Sequence, residues 1–475
     1  MRIAEPIEAS GSFWLATMPA AQSPGTLRIT EAGEITLELQ RPHGNPATGQ
    51  PPTELDLELG WGNLWQQPDR IMGSVDSYGY VTLEKCIRLK GSLTLGAGFS
   101  KATFSVHLAF LGVAYEAGED ISFRKVRFET EGLAEWLATS GIRNEQSLKD
   151  NTGTINYSLP ESVSVGIPDG PTLTFDFGLE FPSQSTLPTE MTVRQTCSIG
   201  IESSRTINVD YFTTIAHKLC NFISLGLGQC VSITSMTAYY EEGDESSTRA
   251  IPILILGKLP PASPSPQTIR PYDYLFSYRD IEGEVGDIIS SWLRAYESVE
   301  HPFNLYFNAE SGMVTYLDIR FLWVTQALEA FHRATSKDTT LPKSKFDRIV
   351  EDMLKEVPSD NRDWMRQKLW YANEPSLRAR IKKLIRPFGR WFGNRKTREA
   401  LLNRVVATRN YLTHYDEEST KERAEGGKDL YEVYRKMKAL FQLVTLQYIG
   451  FDEEAIDRIV ENNSALSETL QQAKD

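Results

Sequence analysis

The chain has 475 residues, too many for one ordinary core, so two or three domains are expected. Its net charge of −13, from 50 Lys and Arg against 63 Asp and Glu, argues against a protein that simply coats nucleic acid. The four cysteines, Cys86, Cys197, Cys220 and Cys230, contain no Cys-x-x-Cys pair, which points to neither zinc nor a disulfide framework and fits reduced thiols in the cytoplasm. The opening residues Met1 to Pro6 have no basic stretch leading into an apolar run, which speaks against a secretory signal.

From Phe13 to about Leu259 the chain carries short alternating runs between Gly, Pro and Asn turns. Examples are Ile35-Thr36-Leu37-Glu38-Leu39 and Phe104-Ser105-Val106-His107-Leu108. This predicts a β-rich, sandwich-like domain over residues 1–259, with helical inserts around Leu133 to Ser140 and Tyr211 to Leu225. Residues 219–240 have no charged side chain, yet Asn221, Ser224, Gly226, Gly228 and Gln229 dilute the run and Val231 to Thr234 alternate. A buried helix ending near the glycines and a following strand suit it better than a membrane span. The stretch Pro260 to Pro266 then breaks every periodicity, marking a semi-rigid connector over 260–271.

Residues 272–475 follow a helical period, with helices expected at Val285 to Val299, Tyr316 to Ala334, Lys343 to Val357, Asp363 to Tyr371, Ser376 to Ile385, Thr397 to Thr413 and Lys428 to Ile449. The class is therefore multidomain α+β, a β-rich half followed by an all-α bundle. Charge divides unevenly: residues 1–260 carry −12 and residues 261–475 only −1. Any RNA must meet a local basic surface. A run from Arg378 to Arg398 holds nine cations without one Asp or Glu, interleaved with Phe388, Trp391 and Phe392. Arg378, Arg380, Lys382, Lys383, Arg386 and Arg390 can neutralise phosphates while Trp391 stacks on a base, the usual way of holding single-stranded RNA. The alternative is a solvated helix face followed by a loop whose rings plug the core.

Directly after this run comes Arg409-Asn410-Tyr411-Leu412-Thr413-His414, inside the apolar pattern of Leu401, Leu402, Val405, Val406 and Leu412. Arg409 interrupts that buried stripe, so its guanidinium needs a counter-charge or a phosphate. A permanent cation and a titratable imidazole suit cleavage of an RNA phosphodiester. The 2′-OH attacks the adjacent phosphorus, His414 handles a proton, and Arg409 grips non-bridging oxygens, with no metal or other cofactor needed. On an ideal helix Asn410 and His414, four apart, are neighbours, so Asn410 can orient the imidazole or bind phosphate. Glu329 and His332 lie three apart on the preceding helical segment, where Glu329 can orient Arg409 or the His332 imidazole; a plain surface pair is the bland alternative.

Arg-Asn-x-x-x-His late in a helical domain resembles the signature of HEPN ribonucleases. The segment Leu322 to Arg333 is similar to the early helix of the Apea-like branch. In the first half, Gly11 to Leu15, Pro24 to Ile29, Val81 to Leu83 and Leu133 to Leu137 resemble the N-terminal domain that accompanies that branch. The resemblance implies a HEPN bundle in residues 272–475 that forms a homodimer or higher oligomer and cuts cellular RNA, tRNA among it. It further implies abortive-infection defence against phage, with an N-terminal domain that senses a phage-derived protein or restrains the nuclease. A catalytically silent adaptor binding RNA or a nucleotide, and a ligand-binding β-module with a structural helical domain, are the competing readings. No Walker loop, His-Glu-x-x-His or Gly-x-Ser-x-Gly elbow is present, so neither NTP-driven nor zinc chemistry is indicated.

Overall fold

Among the residues that the computed structural model describes, the alternating runs of the first half become sixteen strands. It describes all residues except 18, 21, 43–67, 93–98, 169, 181–190, 243–248, 259–269, 416–421 and 472–475. The strands are β1 (Ile7–Leu15), β2 (Ser23–Ile29), β3 (Ile35–Pro42), β4 (Arg70–Val75), β5 (Gly79–Glu84), β6 (Ile87–Ser92), β7 (Phe99–Val106), β8 (Leu108–Leu111), β9 (Ser122–Thr130), β10 (Ile142–Ser147), β11 (Thr152–Tyr157), β12 (Val163–Gly166), β13 (Thr172–Glu180), β14 (Arg194–Asn208), β15 (Ile233–Glu242) and β16 (Arg249–Gly257). Fourteen of them join in one hydrogen-bonded order, β12-β13-β14-β9-β15-β16-β8-β5-β4-β1-β2-β3-β7-β6, while β10 and β11 pair separately. The sandwich-like expectation thus takes the form of a single continuous ladder. Its centre is covered on both faces, since all four residues of β8 are buried.

Both predicted inserts are helices. The short α1 (Leu133–Leu137) carries the fully buried Trp136, and α2 (Val209–Leu227) packs over β9 and β14. The Asn208 side chain caps α2 by accepting from the Asp210 amide, and Gly228 ends it at φ 72°, a conformation that suits glycine. Trp136 meets Phe175, Phe222 and Tyr278 edge-on or tilted, with ring centroids 5.8–6.1 Å apart. Gly226 makes room for this cluster, because a Cβ there would lie 2.6 Å from the indole nitrogen. The uncharged stretch 219–240 is therefore core, and no helix among the described residues is long and apolar enough to cross a membrane.

The second half is helical: α3 (Val285–Glu310), α4 (Leu317–Thr335), α5 (Lys343–Glu356), α6 (Arg362–Leu369), α7 (Leu377–Ile385), α8 (Arg395–His414), α9 (Gly426–Ile449), α10 (Glu453–Asn462) and α11 (Ser464–Gln471). Each predicted helix is present. The first runs further than expected, bending at Val299 (φ −124°, ψ 25°) ahead of Pro302 and continuing to Glu310, because proline kinks a packed helix without always ending it. The last two helices were not foreseen, although Asp452, which accepts from the Ala455 amide, is an N-cap signal.

The chain divides into two compact units, Met1–Pro271 with Phe276–Ser290, and Tyr272–Leu275 with Ser291–Asp475. Most of the connector expected at 260–271 lies outside the described residues. Tyr272–Leu275 joins the second unit because Asn463 donates to the carbonyls of Asp273 (2.6 Å) and Tyr274 (3.0 Å). The core of that unit is aromatic: Trp292 stacks on Phe303 at 4.7 Å and Tyr306 on Phe441 at 4.5 Å, with α9 lying along α4.

Candidate active site

Helix α8 carries the candidate motif, and its ends are well defined. Asn394 caps the start by accepting from the Thr397 amide at 3.0 Å. At the other end Tyr415 takes a left-handed conformation (φ 52°) and donates its N–H to the Tyr411 carbonyl, so the helix stops just after His414. Leu402, Val405, Ala407 and Thr408 are buried, whereas Leu401, Val406 and Leu412 are half-buried, so the inward stripe is narrower than the apolar pattern implied. Thr408 fastens the helix from within, donating to the Arg404 carbonyl and accepting from the Ala424 amide at 2.9 Å.

Arg409 sits at the edge of this stripe with its side chain 30% exposed. One guanidinium nitrogen donates to Asn410 Oδ1 at 3.2 Å, and another lies 3.8 Å from Glu329 Oε2 on α4. Glu329 is itself shared with Arg333 at 3.5 Å. The counter-charge expected for a partly buried Arg409 is thus present but distant, and among the described residues it leaves guanidinium donors uncommitted. His414 is exposed in the last position of α8. Among the described residues His414 has no hydrogen-bond partner. Asn410, four residues earlier, points its carbonyl oxygen to Arg409.

His332 is placed elsewhere. It is 3% exposed, with Nδ1 3.3 Å from Arg380 Nη1 and Nε2 3.6 Å from Asp338 Oδ2. Because a guanidinium only donates, Nδ1 accepts and Nε2 carries the proton. Burial and then the Arg380 charge push its pKa below the usual imidazole value, so it is held neutral. The suggested grouping of Glu329 with His332 therefore divides: Glu329 reaches Arg409, and His332 belongs to the α4–α7 contact.

The basic run is less open than its sequence suggests. Arg380 is buried and bonded to Glu374 (2.7 Å) and the Pro375 carbonyl, so as a surface RNA contact it is corrected to a buried tie between α7 and α4. Arg378 and Lys382 both pair with Glu399, Lys383 pairs with Asp338 at 2.7 Å, and Arg390 pairs with Glu453 and Asp457. Trp391 is half-buried, its indole N–H donating to Asp457 at 2.9 Å. Arg386 is exposed and forms no ion pair among the described residues, as is true of Arg395 and Lys396 at the start of α8. A sequence window cannot reveal these partners, since Asp338, Glu374, Asp457 and Glu453 all lie outside it.

Residues 8–292 match the family described as ApeA N-terminal domain 1, and residues 322–455 match that described as Apea-like HEPN. The second match contains Glu329, the basic run and the whole Arg409–His414 motif. No curated protein and no solved structure matches the chain.

Proposed function

We infer the function from one premise: the chain belongs to the ApeA N-terminal domain 1 family and carries an Apea-like HEPN domain. HEPN domains are generally associated with ribonuclease activity, and we propose that this one is a metal-independent endoribonuclease acting in antiphage defence. The observation that carries the reading is the end of α8, where a half-buried Arg409 keeps donors that no described residue takes and an exposed His414 follows five residues later. His414 exchanges a proton with the 2′-OH or the leaving 5′ oxygen, both of which must change protonation during strand scission. Arg409 stabilises the charge that builds on the phosphorane oxygens, with Asn410 and Glu329 as positioning residues.

One imidazole per chain covers acid and base duties unevenly, which supports a homodimer that apposes two motifs. The acidic first domain, net −12 over residues 1–260, is proposed to restrain the nuclease until a phage-derived protein binds it. Growth arrest and RNA cleavage by residues 272–475 are then expected to exceed those of the full chain, and equal or weaker activity of a folded fragment would exclude restraint.

The chemistry is tested by its products. Cleavage is expected to persist in excess EDTA, to leave 2′,3′-cyclic phosphate and 5′-hydroxyl ends, and to stop when the 2′-OH at the cut site is replaced by hydrogen. Loss on chelation with recovery in magnesium would point to a two-metal nuclease instead. RNA binding without cleavage would favour the silent adaptor.

Lys382 and Lys383 already have carboxylate partners, so they release fewer counterions on meeting phosphate than Arg386 does. Arg386→Ala is therefore expected to flatten the salt dependence of single-stranded RNA binding by a log–log slope of about 0.7, and Lys382→Ala by less. Equal slopes for wild type and Arg386→Ala would place the RNA on another surface.

A further inference from the structure

His414 stands at the last position of α8, and a helix frays first at its ends. A group that transfers a proton has to be held better than that, since a misplacement of about 1 Å can cost about a hundredfold in rate. Among the described residues the imidazole has no hydrogen bond, so what holds it must act through the backbone of the last turn. That turn is closed in an uncommon way. Tyr415 follows at φ 52° and ψ 36°, the left-handed region in which glycine usually ends a helix, and its N–H donates to the Tyr411 carbonyl at 2.8 Å. A side chain is strained in that conformation, because its Cβ crowds the following carbonyl oxygen. Strain beside a reacting group is kept only where surrounding contacts enforce it.

Those contacts form a short chain of side chains. The Tyr415 ring meets the Tyr411 ring edge-on with centroids 5.8 Å apart, and the Arg423 guanidinium lies over the Tyr411 ring, 3.6 Å from its centre. A cation over an aromatic face is held by the ring quadrupole, more firmly where water is excluded, and the Nε of Arg423 is buried. Arg423 comes from the segment that leads into α9, and this segment runs back along α8. Its next residue, Ala424, donates its amide to Thr408 Oγ at 2.9 Å. Thr408, Tyr411 and Tyr415 are three and four residues apart, so they share one face of the helix. The returning chain is pinned at two successive points of that face, and Arg423 is the one nearer His414.

We propose that Arg423 is a positioning residue for His414. Its guanidinium holds the Tyr411 ring, Tyr411 holds Tyr415 in the left-handed turn, and that turn fixes the end of α8 so that the imidazole is presented in one place. The proposal deepens the ribonuclease reading and, for its catalytic part, rests on it. An arginine near an RNA-cutting motif has another use, gripping phosphate, and the two uses separate by experiment. A phosphate contact acts on KM and on salt dependence, whereas a residue that places the proton-transfer group acts on kcat.

Full-length Arg423→Ala is expected to cleave RNA with kcat lowered by about ten- to a hundredfold and KM within about twofold of wild type. Arg423→Lys keeps a cation over the ring and should regain most of the loss. Tyr411→Leu should match Arg423→Ala, and the two together should cost no more than either, as for residues that act through one contact. Adding Tyr415→Gly to Arg423→Ala should restore kcat, because glycine takes the left-handed turn without help. Hydrogen exchange reads the same clamp without cleavage: the Tyr415 amide should exchange at least about fivefold faster in Arg423→Ala, with the global melt unchanged. Wild-type exchange at that amide in the folded variant would overturn the proposal. So would a raised KM and a flattened salt dependence at wild-type kcat, which would make Arg423 a phosphate contact, or losses that add in the double variant. If Arg423→Ala does not fold, Tyr411→Leu decides by the same measurements. Faster exchange in a chain whose wild type cuts no RNA would sink the ribonuclease reading and leave the clamp on the helix end standing.

Discussion

His414→Ala is expected to lower RNA cleavage by about 10²–10⁴, and Arg409→Ala by about 10²–10³, with the fold unchanged. The first removes the group that moves a proton in the transition state. The second removes donors aimed at charge that exists only there. Neither should cost much stability, for physical reasons visible at the helix end. His414 is exposed and its side chain has no hydrogen-bond partner among the described residues, so its loss removes no bond to them. Arg409 has a 3.8 Å ion pair and a bond to its own neighbour, and Glu329 keeps Arg333 when Arg409 is gone. Asn410→Ala should be milder, since it frees Arg409 from one local bond without removing a reacting group. Matched circular dichroism and thermal melts with single-turnover rates on cellular RNA are the measurement. Wild-type rates in either of the first two variants would remove the motif from the chemistry.

The largest expected effect on stability lies at Glu310, far from any catalytic role. Its side chain is 6% exposed at the end of α3, where Lys438 approaches at 2.5 Å, Arg320 at 3.4 Å, and the Tyr434 hydroxyl donates to it. Arg320 also donates to Tyr434 at 2.5 Å and to the Ala309 carbonyl at 2.8 Å. Three helices, α3, α4 and α9, thus meet on one carboxylate. Glu310→Ala leaves two cations and a buried phenol uncompensated, and the expected cost is about 3–5 kcal/mol, a fall in Tm on the order of 10 °C.

The same site predicts a pH dependence. Burial alone would raise the Glu310 pKa, but Lys438, Arg320 and the Tyr434 hydroxyl outweigh it and hold the value below that of an ordinary glutamate. A lowered native pKa contributes stability above the unfolded pKa of about 4.3, and this is lost as pH falls through the lower native value. Acid unfolding of wild type should therefore be steeper in that window than that of Glu310→Gln. Parallel acid transitions, or a melting loss below about 1 kcal/mol for Glu310→Ala, would show that the network is not the joint described.

Periodicity alone placed the helices up to α9 and the strand-rich character of the first half. Alternation over Ile35 to Leu39 and Phe104 to Val106 is local, so the strands β3 and β7 follow from neighbours in the chain, as do the helices around Leu322 to Arg333 and Thr397 to Thr413. The motif Arg409 to His414 was legible for the same reason, since six residues on one helix need no distant information. The continuous fourteen-strand order was not, because pairing β8 with β16 joins residues more than a hundred positions apart. Charge showed the difference most sharply. Composition made Arg378 to Arg398 a uniform cationic stretch, but Glu374 and Asp338 reach it from outside, Glu399 from its edge, and α10 brings Asp457. Only tertiary packing could decide that Arg380 is buried, that His332 turns to it rather than to Arg409, and that Arg386 forms no ion pair among the described residues. An ion pair depends on two side chains meeting in space, and a sequence window records just one of them.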